Sequence, residues 1–294
     1  MTGARVWLGD RLVAAEDASI DPRDRGFTLG DGCFDTALAI GGRVFRADDH
    51  LDRLASTCAA LSLPVTRERL AVAQESLSAE IGNGSIRLTV TRGSGARGLA
   101  LPDDPRPTLF GAASPLAPQM MFKPLTLALA QTRRNETSLS SRLKTLSYFD
   151  AIVETDRAKR DGADEPLFLN TNDQIACTAL ANVFRIGKHD IVTPPLECGA
   201  LDGVMRRFVI ETAERYSVDV RVAPLVLDSE HDGWFLLTNS LRLIAPAGLA
   251  GAPPLSPSQA RTVRWLMEES CHAIARDCGT DPREFGAEIP DLSV

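Results

Sequence analysis

The sequence predicts a two-domain α/β protein, and three observations carry that expectation. A chain of 294 residues is long enough to bury two hydrophobic cores of ordinary size. Segments in which apolar and polar residues alternate stand between segments whose apolar residues recur at helical spacing. The stretch Ser114-Pro115-Leu116-Ala117-Pro118 suits an extended connector better than a packed element. We therefore expect domains over residues 1–113 and 125–294, joined by a linker over 114–124.

Composition narrows the function classes. With 44% hydrophobic and 24% charged residues the chain is globular, and a net charge of −7 argues against a general nucleic-acid binder. The longest apolar stretches are strand-sized, too short to cross a membrane, and the first residues lack the apolar core of a signal peptide, so a cytoplasmic protein is expected. Six cysteines (Cys33, Cys58, Cys177, Cys198, Cys271, Cys278) are scattered without a Cys-x-x-Cys pair, and the chain has only four histidines. Neither structural zinc nor a disulfide framework is expected, and no metal dependence.

The chain opens with a hairpin, Val6-Trp7-Leu8 and Leu12-Val13 around Gly9-Asp10. Residues 24–38 hold closely spaced glycines followed by an apolar run that reads as a strand. After a turn at Gly41-Gly42, Asp48 is expected to cap a helix with Leu51, Leu54, Cys58 and Leu61 on one side. Arg53 lies off that stripe, where it serves either as a solvated charge or as a planar fork for a phosphate. Thr66 starts a second helix through Leu70, Ala73 and Leu77. Ile86, Leu88 and Val90 alternate with Arg87, Thr89 and Thr91 in a half-buried strand leading to Arg92-Gly93-Ser94-Gly95-Ala96-Arg97-Gly98, which suits an anion-facing loop or a surface loop. A short strand at Thr108–Gly111 closes this half.

The second half starts with a strand over Leu125–Ala130 and reaches Lys144, flanked by Leu143 and Leu146. An amine held partly unprotonated by an apolar wall can form a Schiff base with an aldehyde; the same residue also reads as a surface charge. A helix follows over Tyr148–Lys159, then strands at Pro166–Asn170, Ile175–Cys177 and Asn182–Ile186. Gly203-Val204-Met205 opens a helix whose backbone N–H groups either face an anion or are capped by Asp202. Strand-like segments at Val218–Val222 and Leu225–Leu227 precede Trp234–Leu237, which delivers Thr238-Asn239-Ser240 either to an anion or simply to a strand end. The last helix has Ser256 as N-cap, Pro257 at its first position and Gln259 completing a capping box.

Six pieces in this order and spacing resemble the class IV aminotransferases, the fold-type IV pyridoxal-phosphate enzymes that include branched-chain and D-amino-acid aminotransferases and 4-amino-4-deoxychorismate lyase. They are Gly30-Asp31-Gly32-Cys33-Phe34, His50-Leu51-Asp52-Arg53-Leu54, Lys144-Thr145-Leu146-Ser147-Tyr148, Ala181-Asn182-Val183-Phe184, Gly203-Val204-Met205-Arg206 and Thr238-Asn239-Ser240. The resemblance implies a small N-terminal α/β domain, a larger C-terminal pseudobarrel domain, a homodimer, and an active site at the domain interface. It implies that Lys144 forms a Schiff base with pyridoxal 5'-phosphate and then moves the substrate proton as general acid and base. Arg53 would pair with the phosphate, Val204 and Met205 would give it backbone N–H groups after Gly203, and Ser240 and Asn239 would approach it from the next loop.

Two positions depart from the family pattern. Cys177 stands where the family has a glutamate that keeps the pyridine nitrogen protonated, and a thiol is a poor counter-ion there. Phe34 stands where some members have a tyrosine. The expected function is transfer of an amino group between an amino acid and a 2-oxo acid; the alternatives are 4-amino-4-deoxychorismate lyase, giving 4-aminobenzoate and pyruvate, and a cofactor-binding homologue with altered catalysis because of Cys177. Phe34 and Arg97 are the expected substrate contacts.

Overall fold

A computed structural model describes residues 4–187, 190–227 and 233–292. These residues divide into two compact units: one takes the chain to Ala117 together with Leu143–Ser147 and Ile274–Thr280, and the other comprises Pro118–Arg142, Tyr148–Ala273 and the residues from Asp281 onward.

In the first unit the predicted hairpin forms as β1 (Arg5–Leu8) and β2 (Arg11–Ala14). The glycine-rich stretch holds a one-turn helix, α1 (Arg25–Leu29), before β3 (Gly32–Ile40) and β4 (Arg43–Val44). Helix α2 (Ala47–Ala60) starts one residue before Asp48, which therefore sits in the first turn, where its charge favours the helix dipole, rather than at the cap. Helix α3 (Arg67–Ile81) starts at Thr66 as expected, and the Thr66 hydroxyl caps it by accepting from Arg69 N–H. Strands β5 (Gly84–Thr91) and β6 (Thr108–Pro115) complete an antiparallel sheet of order β2-β1-β6-β5-β3-β4. Pairing of β6 with β5 continues through Pro115 opposite Gly84, so Ser114 and Pro115 belong to the sheet. Cys33 and Ala39 of β3 and Ile86, Leu88 and Val90 of β5 pack under Leu51, Leu54 and Cys58 of α2 and Leu70, Ala73 and Leu77 of α3. Because side chains alternate across a strand, Phe34 belongs to the other face of the sheet and Asp35 to the helix-covered one.

The second unit holds β7 (Leu125–Leu129), α4 (Leu139–Arg142), α5 (Phe149–Arg160), β8 (Glu165–Leu169), β9 (Ile175–Thr178), β10 (Asn182–Ile186), β11 (Asp190–Thr193), α6 (Val204–Arg215), β12 (Asp219–Val222), β13 (Trp234–Asn239) and β14 (Leu243–Leu249). Its mixed sheet runs β12-β11-β10-β13-β14-β7-β8-β9. Strand β14 was not predicted, since Pro246 argues against one. Pro246 lies opposite Leu236 of β13, and pairing of β14 with β7 begins only at Ala247. Conversely, Leu225–Leu227 is not a strand: it follows Pro224, which has no N–H, and keeps only a bridge from Val226 to Gln174. Helix α7 (Pro257–Cys278) begins with the predicted capping box, Ser256 N–H donating to Gln259 Oε1 at 3.0 Å.

Candidate active site

Lys144 is positioned by backbone pairing rather than by a helix. At its start, the edge of β3 away from β5 takes up residues 144–146 in antiparallel fashion. Phe34 N–H donates to the Lys144 carbonyl at 2.9 Å, Leu146 N–H donates to the Gly32 carbonyl at 3.1 Å, and Cys33 lies opposite Thr145. Glycine at 32 is what allows this packing, because a Cβ there would overlap the Val90 carbonyl. This pairing is why Leu143–Ser147, expected in the second half, groups with the first unit. The half-buried Lys144 places Nζ 4.5 Å from the Phe34 ring centroid, and the Arg87 guanidinium carbon lies 3.5 Å from the same centroid. Phe34, itself 5% exposed, thus meets two cations through the negative face of its ring. Sequence reading singled out Phe34 but not Arg87, although a cation among the outward positions of β5 was the available signal.

One residue along β3, on the helix-covered face, Asp35 gathers a buried cluster. Its Oδ2 accepts from Arg53 Nε at 2.7 Å, its Oδ1 accepts from Arg53 Nη2 at 2.9 Å, and Oδ1 is 2.7 Å from His50 Nδ1. His50 and Arg53 reach it together because they are three residues apart on α2. Burial alone would raise the Asp35 carboxyl, but Arg53 and then His50 outweigh it and hold the group well below the ordinary carboxylate range. For His50 burial wins and favours the neutral ring. Arg53, offered by the sequence as a phosphate fork, thus commits Nε and Nη2 to Asp35.

Arg97 is exposed on the loop after β5. The loop is tied to α1 by Arg25, whose Nη1 donates to the carbonyls of Gly98 at 3.0 Å and Ala100 at 3.3 Å. Asp31 accepts from both Arg25 Nε and Arg92 Nε at 2.8 Å, so one carboxylate fixes both arginines.

In the second unit the front of α6 carries the anion-binding chemistry. Gly203 occupies the N-cap position with no side-chain cap, and the capping role offered for Asp202 is not taken up: Asp202 Oδ1 accepts from Arg207 Nε at 3.0 Å. Val204 and Met205 are each 1% exposed and begin the first turn, whose N–H groups have no intrahelical partner. A Cβ on Gly203 would overlap Asn182 Oδ1, and Asn182 lies opposite Thr238 in the β10–β13 pair. Thr238 Oγ1 and Arg206 Nε are buried and make no hydrogen bond among the described residues. Asn239 uses its Oδ1 to accept from Leu241 N–H at 3.0 Å and Arg242 N–H at 2.8 Å, closing the turn that holds Ser240. Cys177 lies on β9 opposite Phe168; burial pushes its thiol up, with Arg134 opposing.

Comparison with known proteins gives the chain a family. The family described as amino-transferase class IV matches residues 32–248. A putative branched-chain-amino-acid aminotransferase of Methanocaldococcus jannaschii is 30% identical over 232 residues, 76% of this chain and 79% of that protein. A D-alanine aminotransferase of Listeria innocua is 27% identical, over 94% of this chain and 98% of its own. The crystal structure of 4-amino-4-deoxychorismate lyase from Pseudomonas aeruginosa superposes with a TM-score of 0.80 at 26% identity, covering 92% of this chain and 98% of that one.

Proposed function

This chain belongs to the class IV aminotransferase family, and from that premise we propose that it transfers an amino group between an amino acid and a 2-oxo acid, with pyridoxal 5'-phosphate as cofactor and Lys144 as its covalent residue. It is an enzyme of a family whose members are pyridoxal-phosphate-dependent aminotransferases or lyases. The observation that carries the reading is the Lys144 amine held over Phe34 by the pairing of its own backbone with β3.

Two features of the chain fit the cofactor. Lys144 offers an amine for its aldehyde. The uncapped front of α6, with the unsatisfied Thr238 Oγ1 and Arg206 Nε, offers donors for its phosphate. Gly203, Val204 and Met205 would hold the phosphate through backbone N–H groups, joined by Ser240 and the Asn239 backbone. When bound, pyridoxal phosphate supplies an electrophilic carbon and an electron-withdrawing ring that acidifies the Cα–H bond of the amino acid. Lys144 Nζ takes that proton and returns it after the amino group has moved. Phe34 keeps water from one side of the amine, and Arg97 supplies a cation for a substrate carboxylate. The test is absorbance with borohydride reduction. A yellow band that reduction removes, with a pyridoxyl group mapped to Lys144, supports the reading; a protein that takes up no pyridoxal phosphate ends it.

Cys177 fits less well, since a buried neutral thiol is no counter-ion for a protonated ring nitrogen. We expect the parent to be a slow transaminase and Cys177→Glu to be about tenfold faster, roughly 1.4 kcal/mol off the barrier. A parent that carries cofactor on Lys144 and turns nothing over would instead be a binding homologue.

The turn after β13 favours a second reading. Ser240 is followed by Leu241 and Arg242, closed by Asn239, where aminotransferases of the family usually carry a Thr/Ser-rich run. Release of 4-aminobenzoate and pyruvate from 4-amino-4-deoxychorismate, with no amino acceptor present, would identify the lyase.

The proposed assembly is a homodimer. Phe27 and Leu99 are each 82% exposed and Leu101 57%, and α1 and the loop carrying them are tied through Arg25, an apolar surface suited to a second copy. Light scattering should give a dimer for the parent and a monomer for Leu99→Glu; a monomeric parent would remove the proposal. Six unpaired cysteines, and no helix among the described residues long and apolar enough to cross a membrane, support a cytoplasmic location, which cell fractionation checks.

A further inference from the structure

We propose that Cys33 and Cys58 are an oxidant-reactive pair that closes to a disulfide and so fastens α2 to β3. The Sγ atoms lie 3.6 Å apart, one on the helix-covered face of β3 and the other on the α2 face packed against it, and both residues are 0% exposed. A disulfide needs about 2.0 Å between sulfurs, an approach of side-chain size that two facing thiols can make by rotation about their Cα–Cβ bonds.

Access is the objection to any buried thiol, and the nearest internal space lies beside the pair rather than against it. Two residues along β3 from Cys33 is Asp35, and one turn before Cys58 on α2 is Leu54. Both line a cavity of about 10 Å³ together with His50 and Gln74. A space of that size, walled mostly by apolar side chains with Asp35, His50 and Gln74 among them, is just large enough for one water molecule; it excludes a bulky disulfide reagent and admits hydrogen peroxide only as the packing around it breathes.

The chemistry balances with peroxide as the named oxidant. The Cys58 thiolate attacks one peroxide oxygen; the O–O bond breaks, and the departing hydroxide takes a proton to become water, leaving a sulfenic acid on Cys58. Cys33 sulfur then attacks Cys58 sulfur, the S–O bond breaks, and the Cys33 proton leaves with the hydroxyl as a second water. Two thiols are oxidised by two electrons and one peroxide is reduced. Donation from the Cys33 thiol to Cys58 favours the thiolate on Cys58 and disfavours it on Cys33, in keeping with this order. The bond would close residues 33–58 into a loop containing Phe34, Asp35, His50 and Arg53. Oxidant tone would thus reach the neighbourhood of Lys144 through the fold. The proposal stands on the thiol geometry and does not need the reaction assigned above.

The test uses the purified, folded protein treated with hydrogen peroxide, blocked with N-ethylmaleimide and digested without reductant. The expected product is a peptide joining Cys33 to Cys58, about 2 Da lighter than the two thiol peptides together and separated again by dithiothreitol. Cys271 and Cys278 serve as internal comparison. In a Cys33→Ser variant treated with peroxide while folded and then unfolded into dimedone after the peroxide is quenched, dimedone should label Cys58. Both thiols surviving peroxide, a cross-link formed only in urea, or a Cys58 that never takes dimedone would overturn the proposal.

Discussion

Alanine at Lys144 is expected to lower turnover by about 10⁴-fold while leaving the fold intact. Under the proposed function the residue both holds the cofactor covalently and carries the substrate proton, and positioned proton transfer alone is worth about 10²–10⁴-fold. Its structural share is small by comparison. The contacts that seat the stretch run through the backbone, from Phe34 N–H to the Lys144 carbonyl and from Leu146 N–H to the Gly32 carbonyl, and survive truncation of the side chain. Steady-state rates alongside circular dichroism separate the two effects. A Lys144→Ala protein that keeps its activity sinks the assignment, and one that unfolds would mean that the amine is structural.

Asn at Asp35 is expected to be the most destabilising conservative change in the first unit, by about 3 kcal/mol or more, because it takes away the carboxylate shared by buried Arg53 and His50. The effect has a pH signature. A carboxyl held below its unfolded value of about 3.9 contributes stability that is complete above that value and is lost as the pH falls through the lowered native one. Asparagine imitates the protonated acid, so the gap between the parent and Asp35→Asn should be widest near neutrality and narrow on acidification below about pH 4. Urea midpoints at several pH values measure it. A gap independent of pH would mean that the loss is one of shape and not of charge.

Much of this protein was legible before any coordinates. The alternation of Ile86, Leu88 and Val90 and the helical spacing of Leu70, Ala73 and Leu77 are statements about which face is apolar, and burial bears them out: all six side chains lie in one core. The caps at Thr66 and Ser256 were legible because capping is chemistry between residues three apart. Helix α1 was missed because a one-turn helix leaves no periodicity, and β14 because Pro246 masks a strand whose pairing with β7 starts only after it.

Local sequence also determined the family, through six short pieces whose order and spacing resist coincidence, and with it a lysine, a glycine-fronted helix and a cysteine in an unusual place. Tertiary structure alone decided what those pieces touch. That the Lys144 carbonyl pairs with Phe34 of β3, that Arg87 lies over Phe34, that Arg53 is gripped by Asp35, and that Cys33 faces Cys58 are contacts between residues from 18 to 110 positions apart. Propensity and periodicity act within a turn or a strand. Contacts at such separations exist only once the chain has bent back on itself and both partners have been carried there by elements stabilised elsewhere.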